Sequence, residues 1–223
     1  QVNKTRAYLR AAFAHGGMAD HDPRTVAKDG VLFALKSNPV TLVPVIRQYE
    51  RTRERTLTDD ELREYIKGLE ALPMIQRATL RFNLALACQR PTQLLRAEWS
   101  DFDFTEKTLL LRDSKGRGGS RDHLLPLTPY ALEQLKPLRE LNAKPHKHGE
   151  NPPPPFSSDG KRRLSIDTLS GAVGAISATL TKKKVELFQQ RDLRRTAETM
   201  LQKLGVDKEV RAHLLSHGRS KGV

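Results

Sequence analysis

Three arginines crowd into Arg191-Asp192-Leu193-Arg194-Arg195-Thr196, and Leu214-Leu215-Ser216-His217 follows downstream. A guanidinium presents a rigid fork of N–H donors that matches two phosphate oxygens at once. Leu193, Ala197, Met200, Leu201 and Leu204 recur at helical spacing beside these arginines, so the run predicts the start of an amphipathic helix. A helix start adds free backbone N–H groups and a positive dipole end, both favourable to an anion. Together these features point to a phosphate-handling site. The plainer alternative is a charged helix face in a basic protein, and so short a motif does not decide between them.

The whole chain carries a formal net charge of +13, from 39 Lys+Arg against 26 Asp+Glu. That excess implies an anionic partner, most commonly nucleic acid. A membrane surface is the rival partner. The sequence shows no apolar run of spanning length, no signal-peptide pattern and no basic amphipathic helix with an aromatic face. The 223 residues allow one large or two small domains, and a 37% hydrophobic share is enough for an ordinary core. The single cysteine, Cys88, gives no internal disulfide framework and fits a reducing cytoplasm. Its neighbours Leu86 and Ala87 make it a packing residue rather than a nucleophile. No metal is expected, because no Cys/His spacing resembles a zinc site.

The elements that must hold these residues can be read in order. Residues 1–15 carry Tyr8, Leu9, Ala12 and Phe13 in a helical pattern with no initiator Met, so an upstream part is expected. Gly16-Gly17 predicts a turn, and a second helix is expected over 24–35, stopped before Pro39. The charged stretch that follows reads as a linker. This divides the chain into an N-terminal domain over 1–47, a linker over 48–56 and a main domain over 57–223. The main domain opens with Thr58 as N-cap, acids in the first turn and Leu62, Tyr65, Ile66 and Leu69 on one face. Helices are expected over 74–89 and 92–97, followed by Trp99 as a core anchor under a sheet. Strands are expected near 101–104, 108–111 and 123–127, with a flexible basic hairpin tip at Ser114-Lys115-Gly116-Arg117-Gly118-Gly119. Further helices are expected over 130–141 and 166–180, separated by a loop with four prolines at 152–155. Tyr8, Tyr65 and Tyr130 read as core residues of amphipathic helices, and His213 as packing against its helix neighbours. The sum is a mainly α protein with a small antiparallel β-sheet (α+β).

Arg90 after a buried helix, Lys115 on a hairpin tip, and Arg194 with His217 on consecutive C-terminal helices require a joint explanation. The chain resembles the tyrosine recombinases, the phage-type integrases, and especially those of prophages and genomic islands. The matching residues are Ala87-Cys88-Gln89-Arg90-Pro91, then Glu98-Trp99-Ser100-Asp101-Phe102-Asp103, then Ser114-Lys115-Gly116-Arg117 with His123-Leu124-Leu125-Pro126-Leu127. Asp192-Leu193-Arg194-Arg195-Thr196 and Leu214-Leu215-Ser216-His217 complete the set. Five short islands agree in order and spacing over residues 57–217.

The resemblance implies a recombinase catalytic fold preceded by the end of a helical core-binding domain in residues 1–47. It implies a DNA strand-transfer enzyme that needs neither metal nor cofactor, in which a tyrosine forms a 3′-phosphotyrosyl link. Arg90 and Arg194 would clamp the phosphate, Lys115 would protonate the leaving 5′-oxygen, and His217 would donate a hydrogen bond. The implied partners are double-stranded attachment-site DNA, a homotetramer on that DNA, and accessory DNA-bending or excision factors, in a bacterial cytoplasm at the nucleoid. Arg117, Arg121, Lys161, Arg162, Arg163, Lys182, Lys183 and Arg195 are expected to touch the DNA backbone, each with a solvated surface as the alternative.

Two positions depart from the family pattern. Arg191 stands where His or Lys is usual, and an arginine does not deprotonate to act as a base. A DNA-backbone contact is its alternative role. Gln93 stands where the family tends to place an acid, and it is expected to orient Arg90 by a hydrogen bond. The nucleophile is expected beyond Val223, about ten residues or three helical turns past His217. The competing readings are a non-cleaving DNA-binding relic or regulator, and a DNA-relaxing type IB topoisomerase-like enzyme.

Overall fold

The computed structural model describes residues 2–24, 32–49, 53–113, 121–143 and 151–216. The chain divides into two compact units, Gln1–Arg53 and Glu54–Val223.

In the first unit, α1 spans Val2–Ala19. It runs straight through Gly16-Gly17, where a turn was expected. Gly16 serves packing instead. Gly16 is buried, and a Cβ there would stand 3.1 Å from the Leu35 side chain. Of the helix expected over 24–35, Arg24 is helical, 25–31 lie outside the described residues, and 32–35 are not helical. Leu35 and Phe33 return over α1 and bury the glycine face. Asn3 exchanges side-chain hydrogen bonds with the Ile46 backbone at 2.8 and 3.0 Å, fastening the two ends of the unit together. Tyr8, expected in a core, is 65% exposed on the face of α1 that this return leaves open.

The second unit is mainly helical around one three-stranded antiparallel sheet, as expected. α2 (Asp59–Gly68) begins with a reciprocal capping box between Thr58 and Glu61. Gly68 lets α2 approach α6 (Ile166–Leu180), since a Cβ there would fall 2.7 Å from Ile176. α3 (Met74–Ala85) buries Ile75, Ala78, Leu80 and Phe82 and packs on α5 (Pro129–Asn142). Between them come α4 (Pro91–Leu94), β1 (Phe102–Asp103), β2 (Thr108–Asp113) and β3 (Arg121–Pro126). The sheet order is β1-β2-β3, with Leu109 opposite Leu125 and Leu111 opposite His123. α7 (Gln190–Lys203) and α8 (Lys208–Leu214) are the last helices among the described residues.

The proline-rich segment is built into the core. Trp99 donates its indole N–H to the carbonyls of Asn142 and Pro153 at 2.8 and 2.9 Å. Asn142 in turn donates to Pro155 and Ser157 at 3.0 and 2.9 Å. Phe156 then stacks on Phe82, 6.1 Å between centroids. Proline carbonyls remain good acceptors, so side-chain amides satisfy a buried segment that cannot form ladders. Tyr65 is fully buried, as expected, but Tyr130 is 55% exposed in the first turn of α5.

Candidate active site

The helix expected over 74–89 ends earlier, because Ala87 and Cys88 both take left-handed backbone (φ 56° and 58°). The Cys88 N–H turns back to the Asn83 carbonyl at 2.8 Å, closing the α3 C-terminus. Pro91 then occupies the first position of α4 and holds Arg90 in extended backbone between the two helices. The reversal aims Gln89 and Arg90 at α7.

The N-terminus of α7 supplies the other half. Gln189 caps the helix with Asp192, the Gln189 N–H donating to Asp192 Oδ2 at 2.8 Å. Leu193 and Thr196 point inward, and the Thr196 hydroxyl accepts from the Leu57 N–H at 2.9 Å. Three-residue spacing then puts Arg191 and Arg194 together on the remaining face. Arg90, Arg191 and Arg194 line one cleft of about 350 Å³, with Leu80, Leu84, Ile166 and Leu193 forming apolar wall. Two arginine-bearing segments far apart in sequence thus meet at one surface.

The Arg194 guanidinium is anchored at both ends. Nη1 donates to the Cys88 carbonyl at 3.1 Å and to Gln89 Oε1 at 3.4 Å, while Nη2 donates to the Leu215 carbonyl. Gln89 is buried and donates from Nε2 to the Leu86 and Leu214 carbonyls at 2.7 and 2.9 Å. Sequence reading missed Gln89. Its only signal was adjacency to Arg90, and a buried glutamine looks like any other polar residue until its partners are known.

Gln93 does not orient Arg90. It is buried, neither amide atom has a hydrogen-bond partner among the described residues, and it lines a separate small cavity with Arg96, Asp101 and Arg112. The turn into α4 directs it toward β2, away from the arginine cleft. His213 is also placed differently: its side chain is exposed, and its carbonyl makes the contact, with His123 Nε2 at 2.9 Å.

Neither Cys88 nor Tyr65 offers a nucleophile to the cleft wall. Burial pushes the Cys88 thiol up to about 12, and burial likewise raises the Tyr65 hydroxyl above its ordinary range. Both groups therefore stay protonated, and Tyr65 packs edge-on against Phe188 at 5.7 Å.

The other expected residues lie elsewhere. Lys115, Arg117 and His217 fall outside the described residues, as does the Arg121 side chain, although the Arg121 backbone pairs with Asp113. Lys161, Arg162 and Arg163 sit on an exposed loop that Asp159 organises by accepting the Lys161 and Arg162 N–H groups. Those two bonds hold the Asp159 carboxyl down to about 2. Arg163 pairs with Glu98, Lys183 pairs with Glu64, and Lys182 is exposed beside it. Arg195 lies 3.7 Å from Asp192 and is not among the residues that line the cleft.

The sequence profile of the phage integrase family matches residues 55–223, most of the chain. The chain belongs to the phage integrase family. Its fold is that of the tyrosine recombinase catalytic domain, shared with solved structures at low identity. A lambda integrase (75–356) dimer bound to a COC′ core site superposes with a TM-score of 0.62 at 19% identity, over 96% of this chain and 70% of that one. XerA recombinase gives 0.58 at 20% identity, over 75% of this chain and 57% of that one. The Tn1549 transposon integrase (82–397) in complex with circular intermediate DNA gives 0.58 at 14% identity, over 98% and 71%. This phage integrase family chain thus spans little more than half the length of XerA recombinase. No curated protein matches it. Among the described residues, no helix is long and apolar enough to cross a membrane.

Proposed function

We propose that the protein is a site-specific DNA recombinase that cleaves and rejoins attachment-site DNA, integrating or excising a mobile element such as a prophage or genomic island. The observation that carries this reading is the convergence of Arg90, Arg191 and Arg194 on one cleft. In the reaction, a tyrosine hydroxyl attacks the phosphorus of a DNA phosphodiester. A P–O bond forms to tyrosine, and the bond to the 5′-oxygen breaks. The departing 5′-oxygen takes a proton from Lys115. A 5′-hydroxyl of a second strand reverses the step, so the bond energy is kept and no cofactor is consumed. Negative charge collects on the non-bridging oxygens, where fixed cations stabilise it electrostatically. Arg90 and Arg194 make that clamp, His217 adds a hydrogen bond, and Arg191 adds charge without acting as a base.

Residues 1–47 are read as the end of the core-binding domain, 48–56 as its linker and 57–223 as the catalytic domain. The working unit is a homotetramer on double-stranded DNA, assisted by DNA-bending or excision factors, in the bacterial cytoplasm at the nucleoid. Lys161, Arg162, Arg163, Lys182, Lys183, Arg195, Arg117 and Arg121 supply backbone contacts. The Arg163 and Lys183 ion pairs are exposed, so phosphates can replace their carboxylates at little cost.

A pool of random-sequence nicked duplexes, incubated with the full chain in EDTA, tests the reading. A covalent adduct that survives denaturation and maps to a tyrosine is expected. Retention of DNA with no adduct in any selected sequence would identify a non-cleaving binder instead.

A further inference from the structure

The last turn of a helix leaves its carbonyls without intrahelical donors. At the C-terminal end of α8 three consecutive carbonyls each accept from a side chain of a different segment, and the His213 carbonyl also accepts the Ser216 N–H at 3.1 Å. His123 Nε2 on β3 bonds the His213 carbonyl at 2.9 Å. Gln89 Nε2, after α3, bonds the Leu214 carbonyl at 2.9 Å. Arg194 Nη2, on α7, bonds the Leu215 carbonyl. His123 and Gln89 are 3% and 1% exposed, so these bonds are shielded from competing water. Immediately beyond, Ser216 takes left-handed backbone at φ 50°. Such a turn ordinarily favours glycine, so the surroundings must hold it.

Gln89 links two members of this set. While its Nε2 holds α8, its Oε1 accepts from Arg194 Nη1 at 3.4 Å. We propose that Gln89 and His123 are positioning residues for strand cleavage: with Arg194 they form a three-carbonyl clamp on the end of α8 that sets both the aim of Arg194 and the left-handed turn at Ser216. A shift of α8 would release Leu214 from Gln89 and Leu215 from Arg194 together. Docking of α8 and orientation of the phosphate-binding arginine are therefore one equilibrium. The inference rests on the recombinase reading of Arg194.

The test uses the full chain with a nicked duplex selected as above. Gln89→Met keeps length and volume but removes both donor and acceptor. His123→Phe removes the ring N–H, whereas His123→Gln can replace it with an amide N–H. Single-turnover cleavage, gel-shift affinity, thermal unfolding and amide exchange over residues 211–216 are measured for each. Gln89→Met and His123→Phe are expected to cleave at least about tenfold more slowly, with DNA affinity within about threefold. Exchange should quicken at residues 211–216 ahead of the rest of the chain, and His123→Gln should restore most of the rate. Gln89→Met and His123→Phe both cleaving at the wild-type rate would overturn the clamp. So would equal losses in His123→Phe and His123→Gln. If either apolar variant fails to fold, the His123→Gln rate and the wild-type exchange still decide, since the clamp requires slow exchange at residues 211–216. Arg194→Ala separates the two levels of argument. Wild-type cleavage by Arg194→Ala sinks the recombinase reading of that residue. Loss in Arg194→Ala with wild-type rates in the other variants sinks the clamp alone.

Discussion

Arg194 and Lys183 carry the same charge and are held in opposite ways. Lys183 is exposed and its ammonium reaches the carboxylate of Glu64, which largely cancels it. Arg194 is half-buried, and three of its partners, at Cys88, Gln89 and Leu215, are neutral oxygens. Neutral acceptors fix a guanidinium in space without neutralising it. A cation that is positioned and still charged suits an anion whose charge grows during a reaction, because nothing need reorganise when the charge appears. A cation paired with an exposed carboxylate suits exchange, in which phosphate replaces carboxylate and counterions are released. The same composition thus yields one set of basic groups built for chemistry and another for general affinity.

This comparison can be broken at several points. After Arg194, whose loss is expected to abolish cleavage, the largest effect is expected at Arg90. Arg90→Ala should slow cleavage by about 10²–10³-fold, as removal of one preorganised donor does, with affinity changed only a few-fold in a gel-shift titration. Lys115→Ala should also be severe on ordinary DNA, but a 5′-thio leaving group needs little protonation and should recover most of the rate. A lack of recovery would remove Lys115 from the acid role. On the exposed side, Lys182→Ala should leave the single-turnover rate intact and lower the slope of log affinity against log salt by about one. Lys183→Ala offers a finer probe. Hydrogen bonds from Lys183 and then Lys67 hold the Glu64 carboxyl down to about 2, from an ordinary 4.5. A depressed carboxyl stabilises the fold above its unfolded value, and that contribution is lost as the pH falls from 4.5 toward 2. Removing Lys183 should move the Glu64 midpoint part of the way back to 4.5 in an NMR titration. The smallest change concerns backbone alone: Ala87→Gly should stabilise the unit by about 1 kcal/mol in chemical unfolding, because glycine occupies left-handed backbone without steric cost.

Where local chemistry decides structure, the sequence was legible. α6 runs over the residues its small-residue pattern predicts, from the Ser165 N-cap to Leu180. The Thr58–Glu61 capping box follows directly from residue types at fixed spacing. The order of islands around Arg90 and Arg194 was enough to predict the catalytic fold. Features that depend on what comes back across the chain were not legible. Gly16-Gly17 looks like a turn until Phe33 and Leu35 return over it. Tyr130 has helical spacing with its apolar neighbours, yet the first turn of α5 leaves it at the surface. Gln93 has the right spacing to support Arg90, but the turn at Pro91 carries it to another cavity. Gln89 takes the supporting place because the left-handed pair Ala87-Cys88 rotates it toward α7 and α8. No local propensity reports two successive non-glycine residues in that conformation.

The central claim is that the cleft arginines act on the reacting phosphate rather than on DNA affinity. Its most direct test is a parallel measurement of single-turnover cleavage and gel-shift affinity for Arg194→Ala and wild type on one selected nicked duplex. The account predicts that cleavage is abolished while affinity stays within a few-fold. Cleavage at the wild-type rate, or a loss of affinity large enough to explain the loss of cleavage, would contradict it.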